Sequence, residues 1–282
     1  MNMIKFSCAD FTFPLLPHDK VLQLIRLLGI NAVDLGVFED RSHHYPSAIA
    51  QNPLQSGKKL ASELQNIDME VADVFFQSGA EPSIAAANDP DKGIRTKNRA
   101  LFQKMVEFTH ALGCGHMTGL PGVFHHGDGS VDDWKRAIEE TRWRVETARD
   151  TGIVYSIEPH VGSILTDSET TLCFLESCPD LTLTLDYGHF IYQGQTNKSV
   201  HPLIPYASHF HARGGADGKL QTIVQENEID FAAILEQFKK QNYDGYICLE
   251  YVHQDWEGCN RTDNVSETLR LKEQLEKLFM SA

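Results

Sequence analysis

The sequence contains no long apolar run and comparatively few basic residues, and both shortages restrict what the protein can be. Uninterrupted apolar runs span only a few residues, as at Ile84–Ala87, whereas a membrane helix needs about 20. The amino-terminal segment also lacks the apolar core of a signal peptide. The 25 Lys and Arg are outnumbered by 39 Asp and Glu, for a net charge of −14. The short apolar runs therefore disfavour a membrane partner. The shortage of basic residues disfavours a nucleic-acid partner, since binding to a phosphate backbone requires clustered Lys and Arg side chains.

The cysteine content gives no sign of a disulfide framework. The chain has six cysteines, and none forms a CxxC pair. We interpret them as free thiols and expect a cytoplasmic protein, because cytosolic thiols stay reduced. With 41% hydrophobic and 23% charged residues in 282 positions, the chain has an ordinary globular composition and is long enough to bury a full core.

Strand-like and helix-like segments alternate along the whole chain, which indicates a parallel sheet with helical crossovers. The predicted strands are Ile4–Cys8, Ala32–Val37, Val71–Phe76, His116–Gly119, Val154–Glu158, Leu181–Asp186, His209–Ala212 and Tyr246–Tyr251. We expect a shorter helix over about Val200–Ala207. Eight β/α units in this length predict an α/β fold of the (β/α)8 TIM-barrel type, forming a single domain over residues 1–282. A doubly wound open sheet is the alternative, but no glycine-rich turn follows the first strand.

Acidic and histidine residues stand at the ends of the last four predicted strands. Strand five ends at Glu158 with His160 close behind, strand six at Asp186 and His189, strand seven holds His209, His211 and Arg213, and strand eight ends at Glu250. The carboxyl ends of barrel strands carry the active site in this architecture. An unpaired charge closing an apolar strand is costly, and one divalent cation would satisfy the converging groups together. The alternative is a network of buried salt bridges and hydrogen bonds.

Three carboxylates and one imidazole, from Glu158, Asp186, Glu250 and His211, form an oxygen-rich ligand set. Such a set favours Mn²⁺, Mg²⁺ or Co²⁺ over a thiolate-seeking metal, and it leaves Zn²⁺ open. We therefore expect one divalent metal ion as the cofactor.

In order and spacing, these residues resemble the sugar isomerase/epimerase superfamily. The resemblance covers nearly the whole chain and is carried by Glu158, the Asp186-x-x-His189 step, His211 in SHFHARGG and Glu250 in CLEYV. This group of xylose-isomerase-like TIM barrels also includes ketose 3-epimerases, inosose dehydratases and endonuclease IV. The resemblance implies that Glu158, Asp186, His211 and Glu250 bind one metal ion. It also implies that the two glutamates are the catalytic acid and base.

Some positions depart from the patterns of individual branches. Where ketose 3-epimerases have a second glutamate and a substrate-binding arginine, this chain has Ile164 and Asp217, and Arg213 is the nearest basic residue. The endonuclease branch uses additional histidines on strands three and four, whereas here strand three ends in Phe76-Gln77, strand four ends in Thr118-Gly119, and no Asp-x-His follows His211. A trinuclear zinc site is therefore not expected.

Further residues are candidates for substrate contact. The resemblance gives His189 a hydrogen bond to substrate oxygens, while alternation along the strands directs His160 to the same side as Glu158. Arg213 could hold a hydroxyl, carboxylate or phosphate, or could form a structural ion pair. We expect His209 to lie deeper and to orient a ligand. The pair His43-His44 and the long loop Gln77–Asp91 should shape substrate choice, although histidine pairs in loops are more often merely exposed.

Together these observations predict a metal-dependent isomerase or epimerase of a sugar or sugar phosphate. It would act through an enediolate, with glutamates as acid and base. A dehydratase or lyase acting on a keto-sugar or keto-inositol is the second enzyme hypothesis. A carbohydrate-binding barrel is the alternative that is not an enzyme. We expect a small-molecule carbohydrate as the partner, with neither nucleic acid nor membrane, and a homo-oligomer remains open.

Overall fold

Eight parallel strands close into a barrel in the computed structural model, which describes residues 4–127 and 129–281. The strands are β1 (Lys5–Ala9), β2 (Ala32–Phe38), β3 (Glu70–Gln77), β4 (His116–Gly119), β5 (Val154–Ile157), β6 (Thr182–Asp186), β7 (Ala207–Ala212) and β10 (Tyr246–Leu249). Each strand pairs with its sequence neighbour in the barrel, and β1 pairs with β10 to close it. The predicted TIM-barrel fold is confirmed.

Helices connect the strands and surround the barrel. They are α1 (His18–Leu27), α2 (Pro46–Ile49), α3 (Pro53–Gln65), α4 (Lys92–Leu112), α5 (Val131–Arg149), α6 (Ser168–Ser177), α7 (Tyr187–Tyr192), α8 (Asn197–Val200), α9 (Phe231–Lys240) and α10 (Asn264–Ser281). No helix among the described residues is long and apolar enough to cross a membrane.

Local sequence signals explain where the longest helix begins and ends. The Asp91 side chain accepts the backbone N–H groups of Gly93 and Ile94, which caps α4 at its first turn. Gly113 ends the helix with a φ of 82°, in the left-handed region that glycine enters without a steric penalty. Between these ends, Phe102, Met105 and other apolar residues face the barrel and are buried. Because the β3–α4 connection, residues 78–91, follows the end of β3, it lies at the carboxyl-end face of the barrel.

The barrel interior is unusually polar. TIM-barrel interiors are mostly filled by branched apolar side chains, but here hydroxyl groups of Thr118 and Ser156 lie 2.6 and 2.5 Å from the Thr184 hydroxyl. The His116 ring bridges Asp73, at 2.6 Å, and the Ser208 hydroxyl, at 2.8 Å. Because β4 and β7 are not neighbours in the barrel, this bridge crosses the interior. Buried polar groups need such partners to avoid a desolvation penalty.

Three elements after β6 and β7 differ from the prediction. The expected helix Val200–Ala207 consists of α8 followed by a 3-10 turn over His201–Tyr206, in which two prolines remove hydrogen-bond donors. The short helix α7 begins immediately at the end of β6. An antiparallel hairpin, formed by β8 (Gly214–Ala216) and β9 (Lys219–Thr222), follows β7. Its strands are too short to show a periodic pattern in the sequence.

Candidate active site

The four residues predicted as metal ligands lie at the carboxyl-end face of the barrel. Glu158 and Glu250 directly follow β5 and β10, Asp186 ends β6, and His211 lies one residue before the end of β7. The strand register pairs Asp186 with His211, so the two residues stand at one level. All four are buried, with at most 4% of any residue exposed.

Two glutamates meet at one histidine nitrogen. His211 Nδ1 lies 2.6 Å from Glu158 Oε1 and 3.4 Å from Glu250 Oε2. Since carboxylates accept hydrogen bonds, Nδ1 donates to Glu158 in this arrangement. The three residues offer ligand atoms within 4.8 Å of one another, close enough to hold one metal ion.

Asp186 stands apart from this triplet because Arg213 engages it. Arg213 Nη2 lies 2.5 Å from Asp186 Oδ2 and 3.7 Å from Glu250 Oε2. The other Asp186 oxygen accepts the Gly188 backbone N–H at 2.7 Å. Asp186 instead shares a second ligand triplet with Glu158 and His189. The predicted four-residue set is thus divided between two triplets that share Glu158, and Arg213 forms the structural ion pair that the sequence left open.

The charges of the cluster do not balance. Glu158, Asp186 and Glu250 are buried together, and Arg213 is a permanent cation that contacts Asp186 and Glu250. Burial raises the pKa of Glu250 to about 8, against the opposing influence of His211 and Arg213. Burial disfavours the charged form of His211, yet the nearby Glu250 and Glu158 raise its pKa well above the usual value. The cluster therefore favours the uptake of positive charge.

Asp34 supports the site from below, and the sequence analysis did not identify it. Asp34 Oδ2 lies 2.5 Å from His209 Nε2 and 3.6 Å from His211 Nε2. The predicted role of His209 is consistent with this contact, because His209 orients the carboxylate that faces His211. The only signal in the sequence is one acidic residue inside an otherwise uncharged, mostly apolar strand, β2. A carboxylate behind a ligand histidine fixes its tautomer and ring orientation.

The two histidines predicted to contact substrate face the same buried space. His189 Nδ1 accepts the Val161 backbone N–H at 3.2 Å, and its Nε2 lies 3.6 Å from Asp186 Oδ2. His160 Nδ1 donates to the Val161 carbonyl at 2.7 Å. This leaves His160 Nε2 as a buried acceptor without a hydrogen-bond partner in the described part of the chain. Burial lowers the pKa values of both rings, so both stay neutral.

Aromatic side chains line the opening at the carboxyl-end face of the barrel, which we call the mouth. Most of them lie across this opening from the polar cluster. Phe38 packs edge-on against Phe11 and Phe75, with ring centroids 5.2 and 5.1 Å apart. The Phe75 ring lies 5.8 Å from the His211 ring. The Trp256 ring lies 6.2 Å from His189 and is another wall residue that sequence analysis missed. A mouth with one polar and one aromatic side suits a ligand with hydroxyl groups and an apolar face.

Hydrogen bonds hold two segments that follow barrel strands. Gln221, in β9, donates to the carbonyls of Val252 and Cys259 at 3.0 and 2.7 Å, which joins the β8–β9 hairpin to the segment after β10. The β3–α4 connection is also pinned: Asn98 donates to the carbonyls of Ala85 and Ala86 at 2.7 and 3.1 Å. This long connection is therefore a fixed wall in the structure.

The positions that depart from the ketose 3-epimerase pattern lie outside the cluster. Ile164 is 2% exposed and belongs to the main hydrophobic core. Asp217 is exposed at the turn of the β8–β9 hairpin. Ile164 and Asp217 therefore do not supply the glutamate and the arginine of that pattern, and Arg213 places a permanently charged group 3.7 Å from Glu250 Oε2.

Comparisons with known proteins agree with the fold. A family model described as the xylose isomerase-like TIM barrel matches residues 22–275. The chain therefore belongs to this family. A search of the curated proteins found no significant match.

Several solved structures share the architecture at low sequence identity. An L-ribulose 3-epimerase superposes with a TM-score of 0.78 at 14% identity, covering 99% of this chain and 95% of that chain. The IOLI protein with a bound zinc atom gives 0.73 at 15% identity, covering 99% of both chains. The probable 3-DHS dehydratase AsbF from Bacillus anthracis, involved in petrobactin synthesis, gives 0.69 at 14% identity, covering 96% and 99%. At these identities the likeness concerns the fold.

Proposed function

We propose that the protein is a metal-dependent isomerase or epimerase of a sugar or sugar derivative, with Glu158 and Glu250 as acid and base. The observation that supports it most is the contact of both glutamates with one nitrogen, His211 Nδ1, at 2.6 and 3.4 Å. Two carboxylates that reach a common point from β5 and β10 can address opposite faces of a substrate carbon. Similar folds include an epimerase and a probable dehydratase, so such chemistry suits this barrel.

The residues present fit a divalent cation. Glu250 Oε2, which lies 3.4 Å from His211 Nδ1, is buried without a hydrogen-bond partner among the described residues, and the surplus of carboxylates matches a doubly charged ion. Glu158, His211 and Glu250 would hold the ion, with Asp186 as the fourth predicted ligand. The oxygen-rich set favours Mn²⁺, Mg²⁺ or Co²⁺ and leaves Zn²⁺ open. When bound, the ion supplies Lewis-acid chemistry that acidifies a C–H beside a carbonyl and stabilises the enediolate.

The side chains of this protein then move the proton and hold the substrate. One glutamate removes the proton from carbon, and the other returns a proton to the opposite face, which gives epimerisation. Return of the proton to the neighbouring carbon, with transfer of the hydroxyl proton to the former carbonyl oxygen, gives isomerisation. His160 Nε2, a buried acceptor, takes a hydrogen bond from a substrate hydroxyl, and His189 holds a second oxygen. The aromatic side of the mouth excludes water from the exchanging proton.

Isotope exchange tests this assignment. Glu158→Gln and Glu250→Gln keep the side-chain shape but remove the base, so each should slow turnover by roughly 10²–10⁴-fold. In D₂O with Mn²⁺ and a panel of ketoses, each variant should still exchange the proton of one epimer. Glu140→Gln is the control, because Glu140 is buried in the helix layer and pairs there with Arg99.

The outcomes separate the hypotheses. Normal exchange of both epimers by both variants would exclude the two-base mechanism. Loss of 18 mass units from a substrate would identify a dehydratase. Saturable sugar binding by the unaltered protein, with neither exchange nor mass change across the panel, would indicate a carbohydrate-binding barrel. The cytoplasmic location and the oligomeric state stay predictions from the sequence.

A further inference from the structure

A second cluster of ligand-type side chains lies beside the candidate active site, at the ends of β1 and β2. Asp10 directly follows β1, His18 begins α1, and His43 and His44 belong to the connection between β2 and α2. Asp10 is fully buried, whereas the side chains of His18 and His43 are 16% and 11% exposed. The loop histidines expected to be merely exposed are thus packed around a buried carboxylate that is reachable from the surface.

The atoms of this cluster are spaced for ligation. Asp10 Oδ2 lies 3.2 Å from His18 Nε2 and 3.8 Å from His43 Nδ1. His44 Nε2 lies 3.3 Å from the other ring nitrogen of His18, Nδ1, and so packs beside the same ring. One ligand atom each from Asp10, His18 and His44 lies within 4.8 Å of the others. Ligand atoms around a tetrahedral zinc ion, about 2.0–2.1 Å from the metal, are about 3.3 Å apart.

The Asp10 carboxylate is held so that one oxygen faces the histidines. Its Oδ1 accepts the Gly36 backbone N–H at 2.9 Å. Its Oδ2 is buried and faces His18 Nε2 and His43 Nδ1; while these rings are neutral, none of the three buried atoms has a hydrogen-bond partner in the described part of the chain. Three unpartnered polar atoms that face one another are costly without a further group between them.

The hydrogen bond of His43 indicates that the further group between these atoms is positively charged, either a proton or a metal ion. His43 Nε2 lies 2.9 Å from the Leu16 carbonyl, which can only accept, so the ring proton of a neutral imidazole is on Nε2. Its Nδ1 is then a lone pair that faces Asp10 Oδ2, another acceptor, at 3.8 Å. Two acceptors in contact are repulsive unless a proton or a cation lies near both.

We propose that Asp10, His18 and His44 bind a second divalent transition-metal ion, zinc in preference to magnesium or manganese, with His43 beside it. The set has more imidazole than carboxylate, and such ligands select zinc and its neighbours, whereas the active-site cluster is rich in carboxylate. The ion would join the β1–α1 connection to the β2–α2 connection. Cys8 pairs with Leu249 in the strand register, and Asp10 and Glu250 follow these two residues closely. The ion would therefore lie near Glu250, at the rim of the mouth.

Metal stoichiometry tests this second site without any assay of activity. The protein and its variants are equilibrated with Zn²⁺ alone, desalted and analysed for metal. His18→Asn and His44→Asn should each lose one equivalent of zinc relative to the unaltered protein. His110→Asn is the matched control, since His110 is exposed at the end of α4, and it should lose none.

The double variant Glu158→Gln/Glu250→Gln separates this proposal from the proposed function. It should retain the equivalent of zinc that the His18 variant loses, whether or not the active-site cluster binds metal. Cobalt substitution in this double variant should give visible absorption bands that vanish when His18→Asn is added. Zinc should also raise its melting temperature, which tests the site even if a histidine variant does not fold.

Two results would overturn the proposal. Equal zinc content in the His18, His44 and unaltered proteins would identify the cluster as a hydrogen-bonded network only. An equal loss from the His110 variant would mean that zinc binds to surface histidines without a defined site.

Discussion

Asp34 gives the sharpest test of how the barrel interior supports the active site. Its Oδ2 contacts His209 Nε2 at 2.5 Å and lies 3.6 Å from His211 Nε2, and the residue is fully buried. We predict that Asp34→Asn lowers both stability and metal affinity. The amide keeps the volume but replaces the charged acceptor, and a hydrogen bond to a charged group contributes about 1.5–3 kcal/mol.

The expected magnitudes follow from these contacts. A loss of about 1.5–3 kcal/mol corresponds to a fall in Tm of roughly 3–12 °C for a chain of this size. Loss of a carboxylate behind a metal-binding histidine weakens metal affinity by about 10–100-fold. Thermal melts of metal-free protein measure the first effect, and competition with a chelating dye measures the Kd for Mn²⁺.

Asp73→Asn provides the matched control. Asp73 is also fully buried, and its Oδ1 lies 2.6 Å from His116 Nδ1, but no contact joins it to His211 among the described residues. This variant should lower Tm to a similar extent and leave the Kd unchanged. The idea that Asp34 positions His211 is wrong if both variants weaken metal binding equally. It is also wrong if Asp34→Asn lowers Tm but leaves the Kd for Mn²⁺ unchanged.

Three further predictions concern other parts of the molecule. The protein should not cleave abasic DNA, because its net charge is −14 and the carboxyl ends of β3 and β4 carry no histidine; metal-dependent cleavage at enzyme-like turnover would contradict this. Shortening the β3–α4 connection should change KM across a sugar panel while the metal stays bound, and unchanged kinetics would remove it from the substrate site. Asp263 accepts hydrogen bonds from the Ser266 backbone N–H and hydroxyl at the start of α10, which lower its pKa. Its charge therefore stabilises the fold above the unfolded pKa of about 3.9, and this contribution is lost as pH falls through the lower folded pKa. Asp263→Asn still caps the helix but carries no charge, so it should have a slightly lower Tm at pH 7 and show a smaller loss of Tm on acidification; an identical acid profile would argue against this.

The sequence by itself determined the barrel fold and the face of the barrel on which the candidate site lies. Alternation of strand and helix signals is local, and each predicted barrel strand lies within two residues of its observed bounds. Residues such as Glu158 and Glu250 could be assigned to one face because parallel strands of a barrel all end on the same side. Short elements were missed, since α7 and the β8–β9 hairpin contain too few residues to show a period.

Tertiary structure decided which of these side chains meet. Asp34 and His209 are 175 positions apart and belong to strands that are not neighbours, so only closure of the barrel brings them together across its interior. The Asp186–Arg213 ion pair and the packing of His43 and His44 around Asp10 have the same origin. Strand and helix patterns depend on neighbours in sequence, whereas contacts between side chains on separate strands depend on barrel closure and register, which no local pattern encodes.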